Sequence, residues 1–155
     1  MRPIWQRLLS HSAGAERFVL NDVHDTQPPP DPAVVLRSIA VEAVILQDQA
    51  EAALRDIRAR ISLGLVAPRA GPLVRRFFAL GDQLPTEVKR ADHAQLTREL
   101  AAILRHHAMA LSVAMEFVAL EWRSAAMARQ IDALTDLGPP ARRLDEICAL
   151  LTGRS

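Results

Sequence analysis

Two adjacent histidines, His106 and His107, are the first residues in this chain whose type suggests chemistry. Imidazoles bind metals and carry protons near neutral pH. In a helix, however, neighbouring side chains point about 100° apart, so the two rings are not offered to one ion. A carboxylate-bridged di-iron site in a bundle needs Glu-x-x-His on two helices. No glutamate here has a histidine three positions later. His107 falls between Leu104 and Leu111 on an apolar stripe, so it reads as a hydrogen-bonded core histidine, with no metal and no cofactor expected.

Glu116 and Glu121 interrupt the most apolar run of the chain, residues 108–122. Glu116 shares a helical face with Arg105, Met109, Ser112 and Arg123. Two readings follow. An isolated buried charge is expensive, so Glu116 can form an inter-helix ion pair that fixes register. Alternatively, Glu116 and His107 line a ligand pocket.

Arginines gather at Arg55, Arg58 and Arg60, then at Arg69, Arg75 and Arg76. A basic patch at such a helix corner can contact phosphate. The helix dipole also favours cations near a C-terminus, which needs no ligand. Overall, 19 Lys+Arg stand against 18 Asp+Glu, and the net charge of +1 lacks the basic surplus of a general nucleic-acid binder. The nucleophile motif Gly-x-Ser-x-Gly is absent, and the six glycines are scattered rather than gathered in a phosphate loop. The chain therefore reads as a non-enzyme. Its single cysteine, Cys148, sits among Leu144, Ile147 and Leu151 and reads as a buried structural thiol, compatible with a reducing compartment.

The elements that must position these residues are helical. Half of the 155 residues are hydrophobic, only 4% are aromatic, and Tyr is absent. Long Ala/Leu/Arg/Glu stretches without Gly or Pro predict an all-α bundle. Residues 1–31 form an extended N-terminal arm: Ile4–Leu9 is a short helical stretch, Arg17-Phe18-Val19-Leu20 is strand-like, and Gln27-Pro28-Pro29-Pro30 is polyproline II. The arm is expected to lie on the bundle or to reach a partner subunit. Residues 32–155 are expected to form one bundle domain. The N-terminus lacks the apolar core of a signal peptide, and no run is long enough to cross a bilayer, so a cytoplasmic protein without a membrane association is expected.

Asp31-Pro32 is a helix start, with Asp at the N-cap and Pro at the first helical position. Apolar residues at Val35, Ile39, Ala43, Leu46, Ala50, Ala53, Ile57 and Ile61 mark one buried stripe. The first long helix is predicted over about 32–63, capped by Gly64 and stopped by Pro68. Gly71-Pro72 restarts a shorter helix through Phe77 and Leu80. Asp92 and Gln95 predict a capping box, and the second long helix then runs over 93–137, ended by Gly138-Pro139-Pro140. A last short helix closes the chain.

A straight helix over 93–137 would be about 67 Å long. A compact domain of this size is about 30–35 Å across, so that helix kinks or projects. It also carries two apolar stripes: Leu100, Leu104, His107, Leu111, Ala114 and Val118, then Ile103, Ala110, Val113, Phe117, Leu120, Met127, Ile131 and Leu134. A helix apolar on more than one side is buried on more than one side. The expectation is a homo-oligomer, most simply a dimer, joined through Leu111, Val113, Phe117, Val118, Leu120 and Trp122. The function this implies is a non-catalytic interaction or assembly subunit with a possible protein partner. A small nucleic-acid-binding subunit using the arginines at 55–76 is the alternative, and a ligand- or metal-binding bundle around His107 and Glu116 is a third.

Overall fold

A computed structural model of the chain describes residues 30–119, 125–133 and 136–153. The described residues form an all-α bundle of five helices with no strand among them: α1 (Pro32–Arg58), α2 (Leu63–Asp82), α3 (Ala91–Ala119), α4 (Ala125–Ala133) and α5 (Pro139–Thr152). The arm expected over 1–31 lies outside the described residues apart from its last two.

Helix α1 begins as its sequence predicts. The Asp31 carboxylate accepts from the Ala33 N–H at 2.9 Å, and Pro32 occupies the first turn. The expected stripe is the buried face: Ile39, Ala43, Leu46, Ala50, Ala53 and Ile57 are all in the core, with Val35 and Ile61 half-buried against it. The end of the helix differs from expectation. It stops at Arg58, not near residue 63, because Arg60 adopts a left-handed φ of 59°. The Ile61 N–H then bonds the Asp56 carbonyl and the Arg60 N–H bonds the Ile57 carbonyl, the paired bonds of a Schellman cap. That role was expected of Gly64.

Gly64 instead sits in the first turn of α2, and Pro68, Gly71 and Pro72 all lie inside that one helix. A proline inside a helix costs about 3 kcal/mol, which is why a break is predicted there. Burial of Val66, Ala70, Leu73, Phe77 and Leu80 at alternating spacings of four and three offsets this cost. Helix α2 runs antiparallel to α1, since Arg69 pairs with Asp56 while Arg76 pairs with Glu42.

Asp92 lies within the first turn of α3 rather than at its cap. Its carboxylate accepts from the His93 N–H and pairs with Arg90 at 2.8 Å. The Gln95 side chain bonds Glu99 and Arg98, so the expected capping box does not form. In place of one helix over 93–137 there are α3 and α4. The described residues show that the chain turns back. Leu137 is buried in the core, and Arg143 reaches Glu99 at 2.9 Å. A straight helix would carry residue 137 about 57 Å from residue 99, too far for six more residues to recover. The projecting helix is thereby excluded.

Helix α5 is preceded by Gly138 at its N-cap, whose φ of 70° and ψ of −152° suit glycine alone. It runs antiparallel to α1: Gln47 bonds Asp145, and the Arg37 Nε donates to the Leu151 carbonyl at 2.8 Å. Helix α3 packs against α1, α2 and α5, and its first predicted stripe is wholly buried.

Candidate functional site

The most chemically distinctive group is His107. Its side chain is fully buried where α1, α2 and α3 meet. Its Nε2 donates to the Gln47 Oε1 at 3.0 Å, and the Gln47 amide donates onward to Asp145 at 3.4 Å. The Phe77 ring stands edge-on, with centroids 5.4 Å apart. His106 is the next ring along, at 5.9 Å. Burial above all, and then His106, push the His107 pKa down to about 4. The Ile103 carbonyl one turn back pulls weakly the other way, at a geometry short of a hydrogen bond. The ring is therefore neutral at pH 7, with its Nδ1 left without a hydrogen-bond partner. It cannot exchange a proton with a surface ligand. It fastens three helices.

Glu116 does not join it. Nine positions along a helix is half a revolution, so Glu116 faces the opposite side of α3 and is exposed. Among the described residues, no group of three or more His, Cys, Asp or Glu is placed to hold a metal ion.

The six arginines Arg55, Arg58, Arg60, Arg69, Arg75 and Arg76 are all exposed on α1, α2 and the turn between them. They do not converge on one corner. Arg69 is bonded to Asp56 at 2.6 Å, and Arg76 is bonded to Glu42. Those two partners are 14 residues apart on α1, or about 21 Å.

The predicted interface residues separate into two sets. Leu111 and Val118 belong to the core of the chain itself. Val113 is 36% exposed, and Phe117 is half-buried against the core. Leu120 and Trp122 lie outside the described residues. Met109, one turn before Val113 and 50% exposed, extends the outer apolar edge of α3. Its spacing of four from Val113 is the signal that could have found it.

A second apolar surface was missed. Between α1 and α5 lies a groove of about 600 Å³, lined by Val41, Val44, Ile45, Cys148 and Ala149. Arg37 and Asp145 mark its two ends. Cys148 is thus half-buried in a groove wall rather than sealed in the core. The sequence signal was the outer face of α1, where Val34, Val41 and Ile45 follow at spacings of seven and four and are 58%, 40% and 55% exposed. A smaller hollow of about 340 Å³ lies over Ile103 and the start of α5, where Arg143 joins Glu99 and Glu146. The Gln95 amide, and after it Arg143, hold the Glu99 carboxyl below the usual range.

Among the described residues, no helix is long and apolar enough to cross a membrane. No protein family, curated protein or solved structure matches the chain.

Proposed function

We propose that this chain is a helical interaction subunit that self-associates through the outer edge of α3. One observation carries the reading: Met109, Val113 and Phe117 follow at one-turn spacing, and the first two are 50% and 36% exposed. Their inner neighbours Leu111, Ala114 and Val118 are already buried within the chain, so the outer edge is the side available to a partner. Two copies related by a two-fold axis would place this edge against itself, and closed dimers are the commonest such solution. The sealed position of His107 and the separation of Glu116 from it favour interaction over catalysis or ligand chemistry. The pairing of Arg69 and Arg76 with carboxylates weighs against nucleic-acid binding.

Light scattering across a concentration series tests this. The expected result is a mass approaching twice 17.1 kDa as concentration rises, returning to 17.1 kDa in Val113→Asp. A wild-type chain that stays at 17.1 kDa into the high micromolar range overturns it.

A further inference from the structure

We infer that the groove between α1 and α5 is the seat of this chain's own N-terminal arm, with residues 17–22 laid along it in extended form and antiparallel to α1. This goes beyond self-association through α3 and uses a different face.

The groove has an apolar floor with one cationic and one anionic end. Arg37 sits towards the start of α1, and Asp145 sits beside Gln47, ten residues further along. The arm carries a matching series in reverse order: Arg17, Phe18, Val19, Leu20, Asn21 and Asp22. An extended chain advances about 6.6 Å in two residues, and a helix advances about 6 Å in four. The two periods therefore stay in step over this distance. With Asp22 at Arg37, Leu20 falls over Val41 and Phe18 over Ile45. These three arm residues alternate along the strand, so they share the face turned to the groove. Arg17, one position on, leaves the strand on its outer side at the level of Asp145, and its long side chain bends round the strand end to meet that carboxylate. Arg37 already donates its Nε to the Leu151 carbonyl, and its terminal nitrogens remain to receive the Asp22 carboxylate.

Chain length permits this arrangement. Arg37 is six residues into the helix from Asp31, about 9 Å. The nine residues from Asp22 to Asp31 can span up to about 30 Å, enough to cover that distance and reverse direction before α1 begins. The opposite charge order would place Arg17 on Arg37, and like charges so close repel. The sequence of the arm thus selects one direction.

Cys148, the chain's only cysteine, lines this groove and reports on its cover. In the full chain, the rate at which Ellman's reagent modifies Cys148 is compared between wild type and Phe18→Asp/Leu20→Asp, with far-UV circular dichroism confirming an unchanged bundle. The expected outcome is modification about tenfold faster in the variant, because protection follows the population of the open form. Wild-type protection should not depend on protein concentration. Equal rates overturn the proposal, and so does protection that grows with concentration, which would assign the groove to a second copy. Independently, Leu20→Cys under a glutathione redox buffer should form a disulfide with Cys148 within one chain. A control Ser12→Cys should form it far less readily. Only intermolecular disulfides, or equal yields from both variants, overturn the proposal.

Discussion

The His107 Nε2 donates to the Gln47 Oε1 at 3.0 Å in the middle of the bundle, joining α3 to α1 through two side chains that are otherwise walled by Leu, Ala and Phe. This bond fixes the imidazole as the neutral tautomer with its proton on Nε2. It also explains how a buried polar pair is tolerated: Gln47 spends its oxygen on His107 and its amide on Asp145, so three helices share one line of bonds.

This geometry predicts an acid-sensitive fold. His107 binds a proton near 6.5 when unfolded but only near 4 when folded. Between those values the unfolded chain binds more protons, so stability falls as pH drops through this window and levels off below it. The loss has a ceiling of about 3–4 kcal/mol. Urea midpoints at pH 7, 5 and 4 measure it. His107→Leu should cost about 1–3 kcal/mol at pH 7, because Gln47 loses its donor, yet flatten the slope between pH 6.5 and 4. An unchanged slope would place the titration elsewhere.

The left-handed residue that closes α1 is an arginine where glycine is favoured. An L side chain in that region costs about 1–2 kcal/mol. Arg60→Gly is therefore expected to stabilise the chain by about 1 kcal/mol, read as a rise in the urea midpoint at constant slope. A fall would mean that contacts of the Arg60 side chain outweigh its backbone strain.

These two residues mark what the sequence made legible. His107 belongs to a stripe of period 3.6, and every member of that stripe is buried, because an apolar face must be covered whatever the local details. The turn after α1 was not legible, because reading it depends on recognising glycine as the left-handed residue, and Arg60 takes that place. Helix α2 was obscured for a related reason. Pro68 and Pro72 lower its local propensity, and only the tertiary burial of Val66, Phe77 and Leu80 makes it continuous. That the stretch 93–137 departs from one straight helix was legible from its length alone, whereas the place where the chain turns back was not, because no Gly or Pro lies between Thr86 and Leu137 to mark it. Of the candidate residues, His107 could be placed from periodicity alone. The groove could not, because it exists only once α5 lies against α1.

The glycines test the same boundaries from the other side. An added Cβ at Gly64 meets nothing within 4 Å, and its backbone is helical. Gly64→Ala should therefore stabilise by about 0.5–1 kcal/mol. Were Gly64 a left-handed cap, the same change would destabilise. Gly138, at φ 70° and ψ −152°, should behave oppositely, and Gly138→Ala should cost about 1–3 kcal/mol. Thermal denaturation of the two variants side by side distinguishes these signs.

The bridge from Arg143 to Glu99 and Glu146 ties α5 to α3 at the surface, with the Arg143 side chain 42% exposed. Exposed pairs of this kind contribute little, because water screens them and long side chains lose freedom in forming them. Arg143→Ala should lower the urea midpoint only slightly at low salt, and the deficit should shrink in high salt as screening removes what the bridge supplied. A large loss that salt leaves unchanged would point to the Arg143 stem covering the hollow over Ile103 rather than to its charge.

Leu111 and Val113 lie two residues apart on α3 and should respond to the same substitution in different ways. Leu111 is fully buried inside the chain, whereas Val113 is 36% exposed on its outer edge. Leu111→Asp places an unpaired charge in the core, which a bundle of this size cannot absorb, so loss of the cooperative unfolding transition is expected. Val113→Asp exposes its charge to water in the monomer, and it should leave the midpoint of unfolding at low protein concentration within about 0.5 kcal/mol of wild type. Its effect should appear only where two copies meet, as a lower mass in light scattering and as loss of any concentration dependence of the melting temperature. If both variants merely unfold, the outer edge of α3 is part of the chain's own packing. If Val113→Asp changes neither stability nor mass, that edge is an ordinary solvated surface.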